Sequence, residues 1–331
     1  VDELDKKILS ELQSQGFQKS GTLAPLLGVG ERTLRRRISN MRNKGIIKIV
    51  AVPNPVSFGY RGWAKIGIRM MPGYLNNVAS QLVQHPSVYF VAHSIGTFNI
   101  IIAVNFHTID RLAHFVNSEL IKISGIHSVE TMMLVCPRKY YHFSWPTPSF
   151  EDTENAGEYD RDADASSNYG VNSVERKIVS ILMEDGLARP KALKSRLGIG
   201  ENTIRKCIKN MLNKGIFKIE VVPNTEALEY EAWATMGIVT HSQFAHKVLD
   251  NIIGHPAVYL ASTSLGRFNL IIAARFHSMD SLNQFANVEL PSIVGVSSVD
   301  TFLHNKPLKY HNINWLDSKN SHIPAGQPGL I

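Results

Sequence analysis

Ser94-Ile95-Gly96-Thr97-Phe98-Asn99-Ile100-Ile101-Ile102-Ala103 returns further along the chain as Ser264-Leu265-Gly266-Arg267-Phe268-Asn269-Leu270-Ile271-Ile272-Ala273. Working outward at the same offset, Gly28-Val29-Gly30-Glu31 meets Gly198-Ile199-Gly200-Glu201, and Asn43-Lys44-Gly45-Ile46 meets Asn213-Lys214-Gly215-Ile216. His85-Pro86 likewise meets His255-Pro256, and the correspondence runs without a gap from about Leu4–Trp145 onto Val174–Trp315. Solenoid units have periods of about 20–50 residues. This longer period describes a duplicated module large enough to hold its own core.

Each copy has a helical front and a mixed rear. In the first front, Leu4, Ile8, Leu9 and Leu12 recur at helical spacing, and Leu23, Leu26 and Leu27 mark a second, shorter helix ended by Gly28. Glu31 to Asn43 reads as a third helix with Leu34, Ile38 and Met41 on one stripe, closed by Gly45. Ile46 to Val52 alternates like a strand until Pro53 and would form one arm of a short wing. The rear reads strand, helix, strand, strand, helix, strand: Trp63–Met70, Leu75–Val83, Val88–His93, Asn99–Phe106, Leu112–Leu120 and Ser128–Val135. That βαββαβ order predicts a ferredoxin-like split unit with both helices on one face of the sheet. The other face needs cover, and pairing of two such units supplies it.

The expected class is therefore α+β, with two tandem units, each a winged helix-turn-helix followed by a ferredoxin-like domain. The boundaries are 1–60, 61–145, an acidic linker at 146–172, 173–230, 231–317 and a tail at 318–331. The linker carries Glu151, Asp152, Glu154, Glu158, Asp160, Asp162 and Asp164 with few large apolar residues.

Composition narrows the function. With 331 residues, 44% of them hydrophobic, and apolar runs no longer than stretches such as Ile100–Val104, a soluble globular protein without a membrane span is expected. The first residues lack a signal peptide's apolar core. Cys136 and Cys207 are the only cysteines and neither recurs in the other copy, which speaks against disulfides or thiolate metal sites and for a reducing cytoplasm. The net charge of +7 is uneven: Asp2–Arg61 holds 11 Lys/Arg against 5 Asp/Glu, and Asn172–Glu231 holds 11 against 8. Excess positive charge at the start of each copy suits a polyanion partner, although a solvated basic face accounts for charge alone.

The third helix sharpens this. Opposite its apolar stripe stand Arg32, Arg36, Ser39 and Asn43, flanked by Thr33, Arg35 and Arg42. A helix, a Gly-containing turn and such a helix form the layout that places the N-terminal residues of the second helix at base edges in the DNA major groove. In the second copy the matching residues are Asn202, Thr203, Arg205, Lys206, Lys209 and Asn213, again basic and free of acids. Double-stranded DNA is the expected partner. The bland alternative is an ordinary solvent-facing Arg-rich helix, and its repetition with basic character retained argues against it.

The quoted turns, Gly96-Thr97-Phe98-Asn99 and Gly266-Arg267-Phe268-Asn269, have a structural reading as tight turns with a core Phe. They also have a functional one, as a small-molecule pocket between units. There backbone amides and Asn would hold a carboxylate or an amine, and Arg267 would add a carboxylate-binding fork in one copy only. The 13 histidines form no metal or catalytic signature; HExxH, CxxC, GxSxG and GxxxxGK[ST] are all absent. No catalytic residue, metal or cofactor is expected.

On these residues each copy resembles the Lrp/AsnC (feast/famine) family of prokaryotic transcriptional regulators. Leu4-Asp5-Lys6-Lys7-Ile8-Leu9 looks like the family's first helix, Leu26-Leu27-Gly28-Val29-Gly30 through Arg37-Ile38 its helix-turn-helix, and Gly45-Ile46-Ile47 the start of its wing. The two Gly-x-Phe-Asn turns resemble its Gly-x-aromatic-Asp effector stretch, with Asn99 and Asn269 in place of Asp; an amide has no charge to set against an ammonium group. The resemblance implies an effector-binding rear domain, an amino-acid-like effector and self-association. It also implies that one polypeptide, with its rear sheets paired, stands in for the family's dimer. Siroheme decarboxylases resemble the same family and also pair two units, so a tetrapyrrole enzyme is the alternative. A sensor acting only through protein contacts is a third reading.

Overall fold

The computed structural model describes residues 1–15, 20–54, 57–140, 143–144, 171–223, 230–305, 307–310 and 313–314. The expected tail and all but the last residues of the expected linker lie outside them. The chain divides into two compact units, and each draws on both copies: one from residues 1–59 and 163–228, the other from 60–162 and 229–330.

In the first unit the order is α1 (Glu3–Gln15), α2 (Ser20–Leu26), α3 (Glu31–Asn43) and β1 (Ile47–Pro53), then α6 (Ser173–Glu184), α7 (Pro190–Leu197), α8 (Glu201–Asn213) and β7 (Phe217–Pro223). Helix α6 starts at a capping box: Glu175 N–H donates to Asn172 Oδ1 and Asn172 N–H donates to the Glu175 carboxylate, both at 2.9 Å. The predicted stripe of α3 is buried as Leu34, Ile38 and Met41 against Ile8, Leu9, Leu12 and Leu23.

The strand expected as one arm of a wing behaves differently. β1 finds its partner in β7 of the other copy, antiparallel from Ile47↔Pro223 to Pro53↔Phe217. Among the described residues these two strands form a sheet of their own. The backbone groups of β1 must be satisfied somewhere, and the matching strand supplies the ladder. The register pairs Val50 with its own repeat counterpart Glu220, so an internal two-fold axis passes through that pair. Core packing crosses it too, since Val221 joins the first copy's apolar cluster. Gly186 is required where the second copy's α6–α7 turn meets β1: its N–H donates to Ile49 O at 2.8 Å, and a Cβ there would lie 2.9 Å from the Val50 backbone.

In the second unit each copy supplies four strands and two helices. The first copy gives β2 (Gly62–Met70), α4 (Leu75–Gln84), β3 (Val88–Ile95), β4 (Ile100–Phe106), α5 (Ile109–His114, continued by a π-helical turn to Glu119) and β5 (Ile126–Tyr140), to whose end the two-residue β6 (Phe143–Ser144) pairs. The second gives β8 (Ala232–Thr240), α9 (Ala245–Ile253), β9 (Val258–Leu265), β10 (Leu270–Phe276), a short helix at Met279–Gln284 and β11 (Val296–His304). The spatial order within the copies is β5-β2-β4-β3 and β11-β8-β10-β9, the ferredoxin-like arrangement. β5 pairs with β9 (Met133↔Leu265) and β11 with β3 (Leu303↔Ile95), which are symmetry-related joints, so the eight strands close on themselves. Closure also explains why β5 runs to Tyr140, beyond the Val135 expected: its C-terminal half hydrogen-bonds to the other copy.

Alternation assigns the two faces. Ala64, Ile66 and Ile68 pack under α4 and α5 with Val78, Leu82 and Phe115, and Ala234, Met236 and Ile238 do the same with Val248, Leu249 and Phe285. Trp63, Lys65, Trp233 and Thr235 point to the opposite face, where all four are buried. There Trp233 meets Tyr259 and Tyr310 edge-on, and Phe302 touches both Phe98 and Phe268.

Candidate nucleic-acid interface and effector turns

Burying Leu34, Ile38 and Met41 turns the rest of α3 outward: Arg32, Arg35, Arg36, Ser39, Arg42 and Asn43 are exposed and Thr33 is half-buried. In α8, Asn202, Thr203, Arg205, Lys206, Lys209 and Asn213 are exposed over buried Ile204 and Met211. Both helices are N-capped by glycine, Gly30 and Gly200, with no side-chain cap. The first-turn amides are thus left for solvent or an anion such as a phosphate.

The arginines of α3 are not equivalent. Arg35 pairs with Glu31 at 2.6 Å and Arg42 with Asp185 at 3.0 Å. Arg37, half-buried, bonds Asp2 at 2.5 Å and Asp5 at 2.9 Å and so ties α3 to the start of α1. The Asp5 backbone N–H, and then Arg37, hold the Asp2 carboxyl below its ordinary pKa. Arg32 and Arg36 enter no ion pair among the described residues, and their guanidinium forks face solvent. In the second copy Cys207 replaces Arg37, and Arg196 pairs with Glu184 at 2.9 Å instead.

The two quoted turns are built alike. Gly96 and Gly266 have φ of 104° and 119°, in the left-handed region that favours glycine. Phe98 and Phe268 are buried over Gly67 and Gly237; a Cβ on either glycine would come within 2.5 Å of the ring. Asn99 closes its turn from three sides: its N–H donates to Ile68 O at 2.8 Å, its O accepts from Ser94 N–H at 2.8 Å, and its Oδ1 accepts from Met70 N–H at 2.8 Å. Asn269 repeats this with Thr240 N–H at 2.7 Å on Oδ1. The amide oxygens are engaged with backbone, a role that needs an acceptor and no charge.

One charged network joins the turns. Arg267 pairs with Asp300 and, at 3.7 Å, with Glu130 of the other copy. Arg69 pairs with Glu130 at 3.6 Å and donates to Thr97 O at 3.1 Å. The guanidinium groups of Arg69 and Arg267 each lie 4.9 Å from the ring of the neighbouring Phe98 or Phe268. Sequence reading found Arg267 but not Arg69, Glu130 or Asp300. The available signal was that Glu130 and Asp300 are acids at matching positions of the last strand in the two copies.

A second feature unseen in the sequence is a set of buried basic side chains: Lys65, Arg275 and His304 on the inward face, and Lys139 and Lys309 on the helix side of the sheet. Lys139 donates to the carbonyls of Ile253 and His255, and Lys309 to His85 O, each at the C-terminal end of a helix of the other copy. Burial lowers both lysine pKa values to about 8. Lys65 lies 3.9 Å over the Phe90 ring, and burial lowers its pKa to about 7. Burial, then the nearby Lys65, pushes His304 down to about 3. Among the described residues no cluster of His, Cys, Asp or Glu could hold a metal, and no helix is long and apolar enough to cross a membrane.

Two helix-turn-helix fronts on a shared ribbon and two ferredoxin-like rears in a closed sheet define the class of protein. The Lrp/AsnC ligand binding domain matches residues 64–141 and again 234–313, and a winged helix-turn-helix DNA-binding domain matches residues 1–48. The chain belongs to the Lrp/AsnC family. It is 36% identical over 141 residues to an uncharacterised HTH-type transcriptional regulator of Pyrococcus furiosus, a match covering 42% of this chain and 95% of that one. To HTH-type transcriptional regulator FL11 of the same organism it is 30% identical, over 41% of this chain and 89% of that one. These relatives thus have the length of one copy. A crystal structure of the siroheme decarboxylase NirDL shares the fold across both copies: TM-score 0.60, 17% identity, 94% of each chain covered.

Proposed function

We propose that this protein is a sequence-specific DNA-binding transcriptional regulator in which one chain acts as a pseudo-dimer in the cytoplasm. The observation that carries this is the pair of outward, predominantly basic faces on α3 and α8, related by the two-fold axis of the β1–β7 ribbon. Two-fold-related recognition helices suit the two half-sites of a duplex. Arg32, Thr33, Arg35, Arg36, Ser39, Arg42 and Asn43 serve one half-site, and Asn202, Thr203, Arg205, Lys206, Lys209 and Asn213 the other. The turns 96–99 and 266–269 border the effector site, where an amino-acid-like carboxylate competes with Asp300 and Glu130 for Arg267. Such pseudo-dimers associate further through their rear domains.

The test is DNA binding to the protein's own promoter region as a function of salt. Affinity falls steeply between 50 and 200 mM salt if several phosphates are neutralised, by about 10³-fold for six contacts. The Arg32→Ala/Arg36→Ala variant loses specific binding. A flat salt dependence together with an unaffected variant refutes the proposal.

The likeness to the siroheme decarboxylase over both copies, with Lys65, Arg275 and His304 buried on the inward face, favours a tetrapyrrole enzyme as the second reading. A spectral titration with siroheme separates the two. A saturable band shift supports the enzyme, and no shift supports the regulator.

A further inference from the structure

We infer that the two half-sites differ at one defined base pair: a guanine lies under Arg32 and, at the symmetry-related position, an adenine under Asn202. The inference rests on the DNA-binding reading above and adds what each helix selects.

Arg32 and Asn202 are repeat counterparts at the second position of α3 and α8. Both are exposed, and neither makes a hydrogen bond or an ion pair among the described residues. The bare glycine N-caps before them leave first-turn amides open to a phosphate, and a phosphate held there brings the next residues of the helix to the base edges. The β1–β7 register relates the two helices by two-fold symmetry, so the two side chains meet equivalent base pairs of a pseudo-palindrome.

The chemistry of the two side chains then diverges. A guanidinium fork bonds guanine O6 and N7 together, whereas a carboxamide donates to N7 and accepts from N6–H of adenine. Other groove-facing positions discriminate less. Thr33/Thr203, Arg35/Arg205 and Asn43/Asn213 are identical, and Arg36/Lys206 keeps a donor-only cation suited to guanine or phosphate. Ser39/Lys209 and Arg42/Leu212 differ but lie about two to three turns further from the helix N-terminus, where base edges are reached less readily. The forks of Arg35 and Arg42 are drawn to Glu31 and Asp185, which leaves Arg32 and Arg36 as the free arginines of α3 among the described residues. The asymmetry therefore concentrates at the Arg32/Asn202 position.

The experiment is selection from a randomised duplex library with the full chain, at 50 and 150 mM salt, for wild type, Arg32→Asn and Asn202→Arg. Both positions are exposed, and matching melting temperatures confirm that the variants fold. Wild type is expected to enrich a site whose halves match except for a G/A difference at one symmetry-related position. Arg32→Asn should make both halves A there, and Asn202→Arg both halves G. Each variant should bind the wild-type site about 5- to 150-fold more weakly, the range for losing one bidentate base contact. Enrichment of a site with identical halves, or variants that leave that position unchanged, overturns the base assignment while the DNA-binding reading stands. No enrichment at either salt overturns both.

Discussion

Replacing Lys65 by methionine should stabilise the protein at neutral pH and remove part of its pH dependence. The amine sits on the inward face of β2, opposite Ala103 of β4 and Met132 of β5, with Phe90 of β3 at 3.9 Å and His304 of β11 as the titratable group facing it. Its pKa of about 7 lies below the 10.5 of a solvated lysine, because burial disfavours the charge. A proton lost or carried unsolvated at pH 7 then costs about 5 kcal/mol, at about 1.4 kcal/mol per pH unit. The sign follows: between pH 7 and 10.5 the unfolded chain binds the extra proton, so stability rises with pH across that window. Below pH 7 the full cost is present and this slope vanishes. The methionine side chain would fill the same volume without an amine and forgo the cation–π contact, worth about 2 kcal/mol when desolvated. The net gain at pH 7 is about 3 kcal/mol. Urea unfolding at pH 7 and pH 9, followed by the fluorescence of tryptophans including Trp63 and Trp233 in the same layer, reads it. Wild type should gain about 2 kcal/mol more than Lys65→Met between the two pH values, because the folded amine is already half titrated at pH 7. A variant less stable than wild type at pH 7, or equal pH slopes in the two proteins, refutes the reasoning.

Gly67→Ala places a Cβ about 2.5 Å from the Phe98 ring and should cost about 1–3 kcal/mol through overpacking; Gly237→Ala, under Phe268, should cost about the same, and a thermal melt of each checks both. Asp300→Ala removes the closest carboxylate from Arg267. It should change stability by only about 0–1 kcal/mol, since both side chains are partly exposed. The same variant should bind free amino acids more tightly than wild type in a thermal-shift panel; weaker or unchanged binding speaks against Arg267 as the carboxylate fork.

Much of the fold was readable from periodicity. The stripe of Leu34, Ile38 and Met41 fixed which face of α3 is buried and hence which residues are exposed, because a 3.6-residue period leaves no other choice. The run Trp63–Met70 read as a strand and became β2, and the βαββαβ order placed both helices on one face of the sheet. The 170-residue offset identified which residues are counterparts, and with it the Arg32/Asn202 difference.

Periodicity says which way a side chain points and nothing about what meets it. That β1 pairs with β7, that β5 extends to Tyr140 along β9, and that eight strands close on themselves were decided by backbone hydrogen bonds between segments far apart in the chain. The same holds for the charged groups. Arg267 reads in sequence as an open fork, and only the closed sheet brings Glu130 of the other copy and Asp300 to it. Nothing in the sequence pattern marks Lys65; closure turns its face of β2 into an interior, and desolvation there lowers its pKa. Local pattern set the elements and their faces, while long-range pairing set the dielectric and the partners of every group on the face it covered.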